Sequence, residues 1–418
     1  MVITVFRVFI ISLKVTHTNL IFNEDVNAMF QTVYADLHIH IGRTKSGKPV
    51  KITGSKNLTL KNILDTASKR KGLDLIGIID CHSPEVIQEI EELLEQGKMY
   101  ELQGGGLRYE STTLIPGSEI EIYDENCHGP IHVLAYFPTL EKMKHFSKWM
   151  SNELKNIHLS SQRIYCDGRT LQRKVYELEG IFIPAHVFTP FKSLYGKGVK
   201  RSLTEVFDSN LIDGIELGLS SDTYMVNGIS ELDRYIFVTN SDAHSLGKLA
   251  REYQKMQLAE ISFQELKMAL HERDGRGVLA NYGLNPLLGK YHESVCANCS
   301  EQVVEENPLM CPHCGKSQFI KGVAKRIKEL SDITEPTRKR PPYIHQIPLD
   351  FIPGIGPKTI DKLINAFGTE MNILHEVSLE QLEQVIPSKL ANTLHLARSG
   401  KLAITVGGGG IYGKIDQS

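Results

Sequence analysis

Short apolar, β-branched runs recur between residues 30 and 245, and most of them lead into an imidazole or a carboxylate. Thr-Val-Tyr-Ala precedes Asp36, Leu-Ile-Gly-Ile-Ile precedes Asp80, Gly-Ile-Phe-Ile-Pro leads to His186, and Tyr-Ile-Phe-Val-Thr leads to Asp242. Runs of this kind read as buried parallel strands. Strands are predicted at 75–79, 114–116, 131–136, 181–185, 214–217 and 236–239. Stretches with helical spacing lie between and after them, at 58–70, 84–96, 140–156, 171–178, 203–207 and 262–272. That alternation restricts the chain to an α/β architecture with a parallel sheet, and about seven or eight such units favour a barrel.

In a barrel the carboxyl ends of the strands converge on one mouth. The residues at those ends are His38 and His40 in Ala-Asp-Leu-His-Ile-His, Asp80 and His82 in Ile-Ile-Asp-Cys-His, Glu119, His132, His186, and Asp242 and His244 in Ser-Asp-Ala-His. Any one of these motifs can be a pair of ordinary histidines. Together, at successive strand ends, they point to a multinuclear metal site that activates water. Mixed imidazoles and carboxylates suit Zn, Mn or Fe better than a pure Mg or Ca cage. Asp36 either orients a ligand imidazole or is a structural aspartate at a strand end.

The chain has 418 residues, enough for two or three domains, and its formal net charge of −2 excludes a global polyanion-binding signature. Any nucleic-acid surface must therefore be local. Met1–Val15 is apolar but short and interrupted by Arg7 and Lys14, so it does not suit a membrane span. Residues 1–28 are expected to be an annotation artefact or a poorly ordered arm, with Met29 the start. Cys296, Cys299, Cys311 and Cys314 form two Cys-x-x-Cys pairs, the spacing of a structural four-thiolate zinc site in a reducing, cytoplasmic setting. Cys81, Cys127 and Cys166 are scattered.

After a short helix at 323–330, Thr-Arg-Lys-Arg-Pro-Pro contains Arg338, Lys339 and Arg340, a stiff linker that either touches polyanions or is simply solvated. Pro-Gly-Ile-Gly-Pro-Lys at 353–358 reads as the hairpin of a helix–hairpin–helix unit. Gly354 and Gly356 can bare backbone amides at a helix N-terminus, and Lys358 adds charge, which together grip DNA phosphates without reading bases. The expected divisions are 29–288 (barrel), 289–320 (zinc ribbon), 321–345 (basic helix and linker), 346–403 (helix–hairpin–helix) and 404–418 (glycine-rich tail).

The first 288 residues resemble the polymerase-and-histidinol-phosphatase (PHP) family of metal-dependent phosphoesterases. The matching motifs are His38-Ile-His40, Asp80/His82, Gly117-Ser118-Glu119, His132, Ala185-His186 and Asp242-Ala243-His244. With the zinc ribbon and hairpin added, residues 29–418 resemble the endonuclease Q family. The resemblance implies a distorted (β/α)7-type PHP barrel and a DNA repair endonuclease. Such an enzyme nicks 5′ to deaminated bases (uracil, hypoxanthine, xanthine) or abasic sites and leaves a 3′-hydroxyl and a 5′-phosphate.

The resemblance also implies two or three catalytic divalent ions (Zn2+, Mn2+ or Mg2+). His38, His40, Glu119 and Asp242 would hold one, and Glu119, His132 and His186 a second. His244, with His82 or Asp80, would serve a third ion or the leaving group. Ser46 stands where many PHP enzymes carry another histidine. Glu119, Asp242 and His244 are then the catalytic candidates. Lys45, Lys48, Lys51, Arg163, Lys192 and Lys197 are candidate phosphate contacts, and Phe188, Phe191 and Tyr195 candidate base stackers. The implied partner is lesion-bearing DNA at the nucleoid, with no membrane, and with room for a sliding clamp or other repair proteins. The competing readings are a histidinol-phosphatase-like small-molecule phosphatase and a non-catalytic DNA-binding protein.

Overall fold

The computed structural model describes residues 30–289, 291–303, 309–401, 404–405 and 414–415. The expected extension over 1–28 and most of the glycine-rich tail lie outside the described residues. Strand β1 (Gln31–Ile39) pairs in parallel with β2 (Leu75–Ile78), and β2 in parallel with β3 (Thr112–Ile122). β2 is buried along its whole length, which explains its unbroken apolar sequence. Beyond β3 lie β4 (Ile131–Tyr136), the short edge strand β5 (Arg163–Ile164) and β6 (Ile181–Pro184).

β7 (Ile215–Glu216) and β8 (Phe237–Val238) form a parallel pair. Backbone bonds Asp213 N–Phe182 O and Val187 N–Glu216 O, each 3.0 Å, join β6 to β7. His40 N–Ala243 O and Ala243 N–His38 O, each 3.1 Å, return the wall to β1. The result is a closed, distorted α/β barrel. On its outer flank β9 (Tyr253–Leu258) pairs antiparallel with β1, and β10 (Gly277–Gly283) antiparallel with β9. Tyr343–His345 then adds in parallel to β10.

The sheet is more mixed than the sequence predicts, because β3–β4 and β4–β6 are antiparallel. Only residues 123–130 separate β3 from β4, too few for the crossover of about a dozen or more residues that parallel pairing needs. Most predicted helices form, at Leu60–Asp65 running on to Lys71, Pro84–Glu95, Gly168–Glu177 and Phe263–Leu270. The helix expected over 140–156 stops at Met150. Beyond it the chain turns to flank β5, through a Leu154–Ile164 bridge and the bond from Tyr165 N to Glu153 O at 2.7 Å. The run at 203–207 is only a single 3-10 turn, closed by a Ser202/Glu205 capping box.

Past the cysteine-bearing hairpin (Val295–Cys296 with Phe319–Ile320), four short helices, Pro357–Phe367, Glu370–His375, Leu379–Glu383 and Ser388–Arg398, pack onto the barrel. His375 stacks on Tyr34 at 4.5 Å and accepts from or donates to Tyr253 Oη at 2.7 Å. Burial, with Lys255 and Arg398 nearby, lowers its imidazole to about 3, so it is neutral there. Beside it Lys71 Nζ meets Glu370 at 2.6 Å, with both side chains under a tenth exposed. Removing one member of a buried pair leaves the other charge without a partner. Lys71→Met is therefore expected to lower unfolding stability by roughly 3 kcal/mol or more. Lys71→Met/Glu370→Met should recover most of it. Urea unfolding tests both, and an unshifted midpoint in the single variant would rule out the pair as a stabilising contact.

Candidate metal centre

The barrel mouth is lined by side chains from six different strand ends. His38 and His40 leave β1 on one face, two residues apart, and both are fully buried. His38 Nδ1 lies 3.0 Å from Glu216 Oε1 and His40 Nδ1 lies 3.1 Å from Asp80 Oδ2. These carboxylates accept hydrogen bonds from the Nδ1–H groups, which fixes the tautomers and turns both Nε2 lone pairs inward. Those two Nε2 atoms are buried and have no hydrogen-bond partner. Buried acceptors are rarely left so, and a metal ion satisfies them.

Glu119 on β3 sits at the junction. Its Oε1 is 3.5 Å from His38 Nε2, 2.8 Å from His132 Nδ1 and 3.4 Å from His186 Nε2. Its Oε2 is 3.5 Å from His40 Nε2 and 3.1 Å from Lys51 Nζ, and it accepts from Ser161 Oγ. Asp242 Oδ1, at the solvent edge, is 3.5 Å from both His38 Nε2 and His40 Nε2 and 3.4 Å from His244 Nδ1. Three overlapping ligand groups result: His38–His40–Glu119, Glu119–His132–His186, and His40–Asp242–His244. His186 and Asp242 hold left-handed backbone conformations, with φ of 30° and 45°, which non-glycine residues adopt at a cost. The fold over-determines these two positions, and both aim their side chains at the mouth.

The electrostatics suit cations. Burial alone would raise the Glu119 carboxyl, but His132 and Lys51 outweigh it and hold it well below the usual carboxylate range. Asp242 behaves likewise, because burial is outweighed by His38 and His40. Burial would lower His38, yet Glu216 and Asp242 raise it well above an ordinary histidine. Without a metal, protons neutralise the cluster, and a divalent ion competes for the same lone pairs. The cavity above the cluster measures about 370 Å³ and reaches Lys51, Thr189, Phe191, Lys192, Gly218 and Asn240.

Several expected roles change. Asp80 is not grouped with the ligands; it orients His40 and also accepts from Ile41 N at 2.7 Å. Both ring nitrogens of His82 are occupied, by Ser118 Oγ at 2.8 Å and Leu159 O at 3.2 Å, so His82 has no free lone pair to offer a metal. His244 accordingly groups with His40 and Asp242 rather than with either of them. Asp36 accepts from Ser241 N and Ala250 N and so ties backbone segments together rather than orienting an imidazole. Phe188 and Tyr195 are core residues stacked on each other at 5.2 Å, while Phe191 alone is exposed. Arg340 is no free phosphate contact: its guanidinium covers the Phe237 ring at 3.5 Å and donates to Leu232 O and Tyr235 O. Arg338 is spent on Glu272 and Asp233 O, which leaves Lys339 exposed.

Lys192 pairs with Glu121 at 2.9 Å, and Lys197 is exposed. Gly354 has φ of 86°, which only glycine adopts freely, and Gly356 opens the helix Pro357–Phe367 with nothing within 4 Å of a would-be Cβ. Lys358 is exposed in that first turn. In the cysteine hairpin, Cys296–Cys314 and Cys299–Cys311 sulfurs lie 3.5 and 3.6 Å apart. That is too far for a disulfide and near the edge of a tetrahedron with Zn–S bonds of about 2.3 Å.

Glu216 was not singled out by the sequence, although it ends a short apolar run just as the ligands do. It holds His38 Nδ1, His186 N at 2.8 Å and Asn240 Nδ2 at 2.7 Å at once. Glu216→Gln should weaken catalytic-metal affinity about 10- to 100-fold. Metal titration followed by calorimetry measures this, and unchanged affinity would remove Glu216 from the ligand-orienting role.

No family model matches the chain. The uncharacterized protein YqxK of Bacillus subtilis is 60% identical over 383 residues, which cover 92% of this chain and 99% of that protein. The uncharacterized protein MJ0043 of Methanocaldococcus jannaschii is 38% identical over 252 residues, 54% of this chain and 31% of that protein. Among solved structures, the lesion-specific endonuclease PfuEndoQ of Pyrococcus furiosus superposes with a TM-score of 0.79 at 30% identity, covering 92% of this chain and 95% of that one. An endonuclease Q bound to a 27-mer duplex with an abasic lesion at its active site gives 0.78 at 30% identity, covering 92% and 96%.

Proposed function

Because this chain belongs to the endonuclease Q family, a family of metal-dependent lesion-specific DNA endonucleases, we propose that it hydrolyses the phosphodiester 5′ to deaminated bases and abasic sites. The products are a 3′-hydroxyl and a 5′-phosphate. The observation that carries this reading is the likeness over 92% of the chain to an enzyme bound to abasic duplex, joined to a mouth with buried, partnerless imidazole nitrogens. The barrel, about 29–288, performs the chemistry in this reading. The zinc-held hairpin and the helices of 346–403 grip the duplex, with the Gly354 and Gly356 amides and Lys358 meeting phosphates.

His38, His40, Glu119 and Asp242 would hold one ion, and Glu119, His132 and His186 a second. His40, Asp242 and His244 offer a third position. Divalent ions there supply Lewis acidity toward the phosphate and an activated water. The chain's own groups prepare the site. Glu216 and Asp80 lock the two β1 imidazoles, Lys51 adds positive charge beside Glu119, and the open mouth admits a nucleotide swung out of the duplex. Among the described residues no helix is long and apolar enough to cross a membrane.

The test is a labelled duplex carrying one uracil, hypoxanthine or abasic site, incubated with the full chain with and without chelator. A single metal-dependent nick 5′ to each lesion is expected. Equal cutting of lesion-free duplex, or cutting that survives chelation, would overturn the proposal. Phosphate release from small monoesters with no nicking would instead favour a histidinol-phosphatase-like role.

A further inference from the structure

Two neighbouring parallel segments lead outward from the metal centre. On β3, Glu119 and Glu121 stand two residues apart and share a face, Ile120 and Ile122 are buried, and Tyr123 follows directly after the strand. β5 runs parallel beside this segment, with Arg163 opposite Glu121 and Ile164 opposite Ile122. Arg163 opens β5 with Ile164 buried behind it, Tyr165 follows directly after the strand, and Ser161 precedes it in a turn with φ of 54°. The inner ends of the two rows meet, because Ser161 Oγ donates to Glu119 Oε2. In the middle, Lys192 lies 2.9 Å from Glu121 and offsets its charge.

The outer ends carry an exposed cation–aromatic ladder. Arg163 lies over the Tyr123 ring at 4.8 Å and the Tyr165 ring at 5.4 Å, and Lys155 lies over Tyr165 at 5.7 Å. Arg163 also donates to Tyr123 O, which holds its guanidinium between the rings. Tyr123 is 39% exposed and Tyr165 54%, a large aromatic area to leave in water. Four residues along an extended strand place Tyr123 about 13 Å from Glu119. At roughly 3.4 Å of rise per nucleotide, that lies within a few nucleotides of a phosphate held over the metal ligands.

We propose that Tyr123, Arg163 and Tyr165, with Lys155, form a stacking platform for unpaired bases of the cleaved strand next to the lesion. The proposal rests on the nuclease reading. A nucleotide leaving the stack exposes the faces of its neighbours, and tyrosine rings bind such faces regardless of sequence. Arg163 and Lys155 supply positive charge for the phosphates between them. The platform holds the strand in place and leaves lesion identity to the mouth.

The full-length, metal-loaded protein tests this with Tyr123→Ala/Tyr165→Ala and a Tyr165→Trp control. The double variant should bind a uracil duplex about tenfold or more weakly. It should also fail to quench 2-aminopurine placed within four nucleotides of the uracil, while its hydrolysis of bis(p-nitrophenyl) phosphate and its metal content stay at wild-type levels. Tyr165→Trp should keep both binding and quenching. Wild-type binding and quenching in the double variant would overturn the platform and leave the nuclease reading intact. A wild-type protein that does not nick the uracil duplex would overturn the nuclease reading, and the platform with it.

Discussion

Glu119→Gln is expected to cut the rate of nicking by roughly a thousandfold or more, with little change in duplex affinity. One oxygen of Glu119 faces His38, His132 and His186, and the other faces His40, Lys51 and Ser161. It is the carboxylate shared by two of the three ligand groups. Glutamine keeps the volume and can still bond Lys51 or Ser161, so the barrel should fold. It removes the negative charge that two neighbouring cations would share and gives one oxygen position to an amide that cannot ligate. Asp242→Asn should act in the same direction through the third group, His40–Asp242–His244. Single-turnover cleavage of a uracil duplex, filter binding and elemental analysis separate chemistry, grip and metal content. Wild-type cleavage with full metal occupancy in either variant would remove that residue from the centre.

The second large effect is expected at the hairpin. Cys311→Ser should lose about one zinc per chain and unfold the segment around 291–320 while the barrel stays folded. The hairpin's two strands are two residues each, far too short to hold together alone. Its Cys296–Cys314 and Cys299–Cys311 contacts have the spacing of a closed thiolate site, and binding of structural zinc contributes folding free energy on the order of 10 kcal/mol. Elemental analysis with limited proteolysis checks this. Unchanged zinc content, or loss of barrel signal together with the hairpin, would show that the cysteines do something else.

The barrel itself was legible because its signals are local. A buried strand is rich in apolar residues, so β1, β2, β3 and β6 announce themselves in runs within strands of four to eleven residues. The glycines of 353–358 were legible for a similar reason, since a left-handed φ at Gly354 is a local demand. The antiparallel direction of β4 was missed although the short 123–130 connection contained it. The early end of the helix at Met150 was not local at all, because residues 153 and 154 are drawn to Ile164 and Tyr165.

Sequence alone determined which residue types stand at the strand ends, and hence that imidazoles and carboxylates converge on one mouth. It could not decide which of them touch. Asp80 and Glu119 look alike as strand-end acids, yet one faces the Nδ1 side of an imidazole and the other the Nε2 side. That difference of a few ångströms separates an orienting group from a ligand. His82 is withdrawn by Ser118 and by Leu159, residues that are 36 and 77 positions away. Glu216 reaches His38 across 178 positions. Arg340, which reads as a free cation, is folded back over Phe237 by carbonyls of a turn more than 100 residues earlier. Closure of the barrel brings these distant segments within hydrogen-bonding distance, and only there do charge, burial and tautomer settle what each side chain can do.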